Sequence, residues 1–293
     1  MPPVTPPPLS VQGATVEWGW GYWGHSGALY AQMLCAVYPV IKAANPRAQV
    51  ALGGLAYDWF EDWGGPFVRE FLDDVLTAGG GQCFDAMNFH YYPAFEPIWF
   101  SYGPGLTGKV NYLRTKLGQY GLASKPMIST EAGWHSDFES TPEIQSRYVV
   151  KLFTQTLAKY LDLMIWFSWI DPGGGSGANG LLTQQLQRKP SFYVYRIAAE
   201  KLGSASFQRI LSSSELGSTS FEGYLFTSNQ RALYVLWSRD EVTRTVAVSL
   251  SQARIRDMYG QTIAQINDGD DGQIDGKIQV PVGPNPIYVE AIP

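Results

Sequence analysis

Charge is scarce in this chain of 293 residues: only 16% are Asp, Glu, Lys or Arg, against ~25% in ordinary soluble domains. The net charge of −5 and the lack of any basic run exclude a nucleic-acid partner of the usual kind. Metal-ligating residues are few. The three histidines are isolated, and Cys35 and Cys83 have no ligand spacing, so neither a metal site nor a cofactor is expected. Cys35 falls in a helical pattern and Cys83 before a strand, which reads as two free buried thiols and leaves the compartment open. No apolar stretch reads as long enough to span a membrane, so no membrane partner is expected. Residues 1–13 are Pro-rich and lack the apolar core of a secretion signal, as in a flexible lead-in or a truncation scar.

Aromatic residues are what the chain has in place of charge. They make up 14% of it, with ten Trp and seventeen Tyr. Flat apolar faces suit sugar rings, whose C–H faces stack on them while the hydroxyls bond nearby polar groups. Large cores also hold many aromatics, and part of this set belongs there. The length allows one large or two ordinary domains.

From Ala14 onward, short apolar runs alternate with runs of helical period. Strands are expected at Ala14–Trp18, Gln49–Gly54, Phe84–Phe89, Met127–Thr130 and Leu163–Trp169. Ser26 is a possible N-cap for a helix carrying Tyr30, Leu34, Val37 and Ile41, kinked at Pro39 and ended by Asn45-Pro46. Further helices are read around Phe67–Leu76, around Val110–Leu117, from Thr141-Pro142-Glu143 to about Tyr160, and at about Ser191–Leu202. About five strand-then-helix units in succession imply parallel strands joined by crossover helices. After Gly203 the pattern changes to strands and turns without helices. The fold expected is therefore α/β: a partial (β/α) barrel over residues 14–203, followed by a small antiparallel β-sandwich over residues 204–293.

Parallel α/β barrels place chemistry where strands end. The ends here carry Glu17; Asp58; Asn88, His90, Tyr91 and Tyr92; Glu131 and Trp134; then Trp166, Trp169 and Asp171. The run Pro126–Trp134 stands out, because an apolar strand delivers Glu131 beside a Gly and an indole, where ionisation is costly. The bland reading of Glu131 is a rim ion pair, and that of His90 a core histidine satisfied by backbone. Two carboxylates among His, Tyr and Trp are also what a retaining glycosidase requires. One attacks the anomeric carbon and the other, kept protonated, donates to the leaving oxygen, with ~5–5.5 Å between them.

These segments resemble the clan A retaining glycoside hydrolases, family 39 among them. Ser129–Trp134 looks like their nucleophile segment, Asn88–Tyr92 like the strand whose His and Tyr line the site, and Trp166–Trp169 like the last barrel strand with its sugar-platform Trp. The resemblance implies Glu131 as nucleophile, Tyr92 as its orienting partner, His90 lining the site and Trp169 as sugar platform; from their places at strand ends Asn88, Trp134 and Asp58 are read as further sugar contacts, and Trp166, three residues before Trp169 and so on the other face, as core. Two departures accompany it. The expected Asn-Glu pair is absent, so Glu17 is either the acid/base with Val16 in place of Asn, or an upstream Glu, in which case Trp20 and Gly21 replace the pair and the proton donor is gone. The first three βα units also have no room, which leaves open barrel edges; either self-association covers them or the chain is cut from a longer parent. The function implied is hydrolysis of O-glycosidic bonds in a poly- or oligosaccharide. The alternative is a carbohydrate-binding or self-associating barrel fragment without catalysis.

Overall fold

The computed structural model describes Trp23, residues 26–173 and residues 177–292. The expected lead-in, the strand Ala14–Trp18 and Glu17 lie outside these residues. The chain divides into two compact units, one of residues up to Ala132 with Lys159–Trp166, the other of Gly133–Ala158 with Phe167 onward.

The first unit holds helices α1 (Gly27–Ala44), α2 (Phe71–Thr77), α3 (Glu96–Trp99) and α4 (Gly105–Gln119), and strands β1 (Met87–Tyr91), β2 (Met127–Ala132) and β3 (Leu163–Trp166). Ser26 caps α1 by accepting the Leu29 N–H, and Asn45 closes it with an N–H to Ile41 O. Gly27, Tyr30, Ala31 and Leu34 form the buried stripe of α1, which packs against α2. A Cβ on Gly27 would lie 2.2 Å from the carbonyl oxygen of Phe71, so the helices approach as closely as glycine allows. The strands form a parallel sheet in the order β1-β2-β3.

Three expectations need correction in this unit. Gln49–Gly54 contributes only an isolated parallel bridge, Ala51 to Ala86, because Gly53 and Gly54 bring no side chains to pack. Cys35 and Cys83 are not free thiols but a disulfide, their Cα atoms 5.0 Å apart. Packing of α1 against α2 and the turn at Gly80–Gln82 brings the two residues together. Finally, α1 is by length and composition apolar enough to cross a membrane, with 18 residues of mean hydropathy 1.2, although its buried stripe is used in packing.

The second unit opens with α5 (Pro142–Ala158), whose first turn Thr141 caps by accepting the Ile144 N–H, and α6 (Pro190–Leu202), which packs along it. Eight strands follow: β4 (Ser206–Ile210), β5 (Phe221–Ser228), β6 (Arg231–Ser238), β7 (Arg244–Val248), β8 (Gln252–Arg256), β9 (Thr262–Asn267), β10 (Ile278–Val282) and β11 (Ile287–Ala291). They make a six-stranded antiparallel sheet, β4-β5-β6-β11-β8-β9, and an antiparallel pair, β10-β7. Leu236, Ile255 and Val289 from the larger sheet share one apolar core with Val246, Val248, Val280 and Val282 from the smaller. A short helix, α7 (Ser213–Leu216), corrects the expectation that this region has none; Ser212 and Glu215 form its capping box. Buried Glu222 accepts hydrogen bonds from Gln155 of α5, Tyr224 and Trp237, fastening helix to sheet.

Candidate active site

Glu131 is carried by an irregular strand. Pairing runs regularly from Met87–Met127 to Phe89–Ser129, then skips Thr130, so that His90 stands opposite Glu131. Against β3 the same stretch also runs one residue long, from Ser129–Met164 to Ala132–Trp166. β2 thus has one extra residue relative to both neighbours, the device by which a strand re-aims a side chain. The side chain of Glu131 is 13% exposed and that of His90 is 7%.

Tyr92 donates its phenolic hydrogen to Glu131 Oε1. His90 Nδ1 lies 3.5 Å from Oε2. Burial pushes the Glu131 carboxyl above its ordinary pKa, and the Tyr92 hydrogen bond works against that rise. Burial, then the charge and hydrogen bonding of Glu131, push the Tyr92 phenol up, so it remains a donor. A carboxylate at this distance would ordinarily hold a histidine charged. Here burial, aided by the positive charge of Lys109, wins and lowers His90 to about 4. At neutral pH the imidazole is therefore neutral, and the contact is not an ion pair.

A second layer fixes these groups. Asn88 Oδ1 accepts both the backbone N–H of Thr130, at 3.2 Å, and its hydroxyl, at 3.0 Å. The same hydroxyl oxygen lies 3.3 Å from His90 Nε2. The His90 ring occupies space that only glycine leaves at position 54, since a Cβ there would lie 2.3 Å from Nε2. Asp58 is 1% exposed; Lys109 Nζ lies 2.8 Å from its Oδ1 and Trp99 donates to the same oxygen at 3.0 Å. Lys109 also donates to Ala56 O.

The structure therefore brings Glu131, His90, Tyr92 and Asn88 together. It places Asp58 in a buried ion pair with its Oδ1 fully engaged by protein donors. Glu17 lies outside the described residues. Trp166 is buried in the first unit. In the second unit, the Trp134 indole donates to Ser140 Oγ at 2.9 Å and packs on Tyr148, while Trp169 is 56% exposed beside Phe192. Asp171 accepts from Lys189 and from the Gly180 N–H, closing its own loop. Sequence reasoning missed Thr130, Gly54, Trp99 and Lys109. A signal existed for Lys109, which falls at helical spacing among Leu106, Val110, Leu113 and Leu117, on the buried face of α4.

Solved structures similar to this chain include glycoside hydrolases of families 39 and 30. A family 39 glycoside hydrolase from the gut symbiont Bacteroides cellulosilyticus WH2 matches with TM-score 0.68 at 20% identity, over 90% of this chain and 55% of that one. A family 39 β-xylosidase from Caulobacter crescentus gives 0.54 at 16%, over 91% of this chain and 62% of that one. A family 30 endoxylanase from Clostridium papyrosolvens C71 gives 0.50 at 14%, over 91% and 71% respectively. At these identities the likeness is one of fold, a mixed α/β architecture with a parallel sheet and an antiparallel portion. The chain spans little more than half the length of the first of them. No protein-family model matches the chain, and no curated protein matches it.

Proposed function

We propose that this protein is a glycoside hydrolase that cleaves O-glycosidic bonds of a poly- or oligosaccharide with retention of configuration. The observation that carries the reading is the Glu131 carboxylate at the end of β2, with Oε1 held by Tyr92 and Oε2 facing a neutral His90. In the first step Oε2 attacks the anomeric carbon and forms a glycosyl-enzyme, while Glu17 protonates the departing oxygen. In the second, Glu17 takes a proton from water, which displaces Glu131. The Tyr92 hydrogen bond favours the ionised nucleophile against the effect of its burial, and the neutral His90 adds no competing cation. Asn88 and Thr130 hold the ring of His90, and the Asp58–Lys109 pair anchors the layer below. On the second unit, the exposed indole of Trp169 is a face on which a sugar ring can stack.

In this reading the parallel strands belong to a partial (β/α) barrel of about five units, whose open edges are covered by self-association. The test is covalent trapping with a panel of activated 2-fluoro glycosides. The wild-type chain gains the mass of one glycosyl group and Glu131→Gln does not. In Glu17→Gln, turnover of activated aryl glycosides falls and is rescued by azide. Unchanged turnover in Glu131→Gln removes that residue from the mechanism.

A further inference from the structure

We infer that the second unit carries a binding site for an acidic sugar residue, built from arginines of its larger sheet and distinct from the Glu131 cluster. A cavity of about 500 Å³ opens between the end of α6, the β5–β6 hairpin and strands β8 and β11. That volume accommodates a small ligand of one or two sugar rings. The register aligns its walls: Glu290 stands opposite both Leu233 and Arg254, and Tyr288 opposite Arg256. Alternation along the strands then puts Arg231, Arg254, Arg256 and Glu290 on the same face of the sheet, the one away from the core formed by Ala253, Ile255 and Val289.

The charges on this face do not cancel. Glu290 is shared by Lys201 at 2.9 Å and Arg256 at 3.0 Å, and Glu200 lies 3.6 Å from Lys201. Arg231 and Arg254 have no acidic partner among the described residues. Four cations against two acids leave the lining two charges positive, in a chain whose net charge is −5. A guanidinium presents a planar fork matched to a carboxylate, and Arg254 is half-buried where such a pair gains from partial exclusion of water. Ser228 and Asn229 add groups able to bond sugar hydroxyls. The hairpin tip, Asn229-Gln230, is fixed with both residues at positive φ, 48° and 64°. Among the described residues no aromatic side chain lines the cavity. Recognition there works through charge and hydrogen bonds, which selects an acidic sugar over a neutral one. The choice of a sugar among small carboxylates rests on the proposed function.

The experiment is calorimetric titration of the full chain with D-glucuronate, with D-glucose and inorganic phosphate as parallel arms. Glucuronate is expected to bind and glucose not to. Arg254→Ala and Arg231→Ala should each weaken glucuronate by about tenfold or more, and added salt should weaken it further. Glu131→Gln should leave this binding intact, so a failure of the hydrolase reading and a failure of this site are seen separately. Absent glucuronate binding overturns the proposal, as does binding that survives both arginine substitutions in variants melting like wild type. Phosphate binding as tight as that of glucuronate overturns the sugar assignment.

Discussion

Cutting the Cys35–Cys83 disulfide is the sharpest test of how the first unit is held. The two residues are 48 apart in sequence, and the bridge ties α1 to the turn that precedes β1. Closing a loop of that length restricts the unfolded chain by an entropy equivalent to about 4 kcal/mol at 25 °C, in the chain-entropy account. The perturbation is the double variant Cys35→Ser/Cys83→Ser, compared with wild type under non-reducing conditions. With a urea dependence of about 2 kcal/mol per molar, the unfolding step of the first unit should fall by about 2 M. Because the chain has two compact units, the comparison concerns the step that moves and not one overall midpoint. Circular dichroism in urea, with and without reductant, supplies the assay. A step that moves by less than about 0.5 M refutes the entropic reasoning. Free thiols titrating in the denatured but unreduced protein refute the bridge itself.

Two further outcomes follow from the site. In Tyr92→Phe the hydrogen bond that lowers Glu131 is lost, so the carboxyl rises further and, in the proposed mechanism, the acidic limb of the pH–rate profile moves to higher pH; an unmoved limb separates Tyr92 from Glu131. His90 titrates near 4 when folded, below its ordinary value near 6.5, so between those values the unfolded chain binds the extra proton. Stability should therefore rise with pH across that window by about 3 kcal/mol, a rise that His90→Gln flattens and that urea melts at stepped pH measure.

Much of the local structure was legible in the sequence because it is set by neighbours along the chain. Ser26 before an apolar stripe gave α1, Thr141-Pro142 gave the start of α5, and the apolar run into Glu131 gave β2. The grouping of Glu131 with Asn88, His90 and Tyr92 followed from reading strand ends together. What stayed hidden depends on contacts distant in sequence. Nothing near Cys35 announces Cys83; the packing of α1 against α2 does. Strand β4 is largely exposed and polar, so it lacks the alternation that marks a half-buried strand. The capping box at Ser212 and Glu215 was visible as a motif and passed over because the surrounding pattern read as β. Lys109 was not singled out, although its place on an apolar helix face called for a buried acid such as Asp58.

The extra residue in β2 makes that strand intolerant of one kind of change and permissive of another. Side chains along it can drift while the backbone path is kept. Loss of a single residue between Ser129 and Ala132 would instead make the pairing with β1 and β3 even and remove the local irregularity that re-aims the side chain of Glu131. In an evolving lineage the length of this segment is thus under tighter selection than most of its letters, and a one-codon deletion there does more harm than many substitutions.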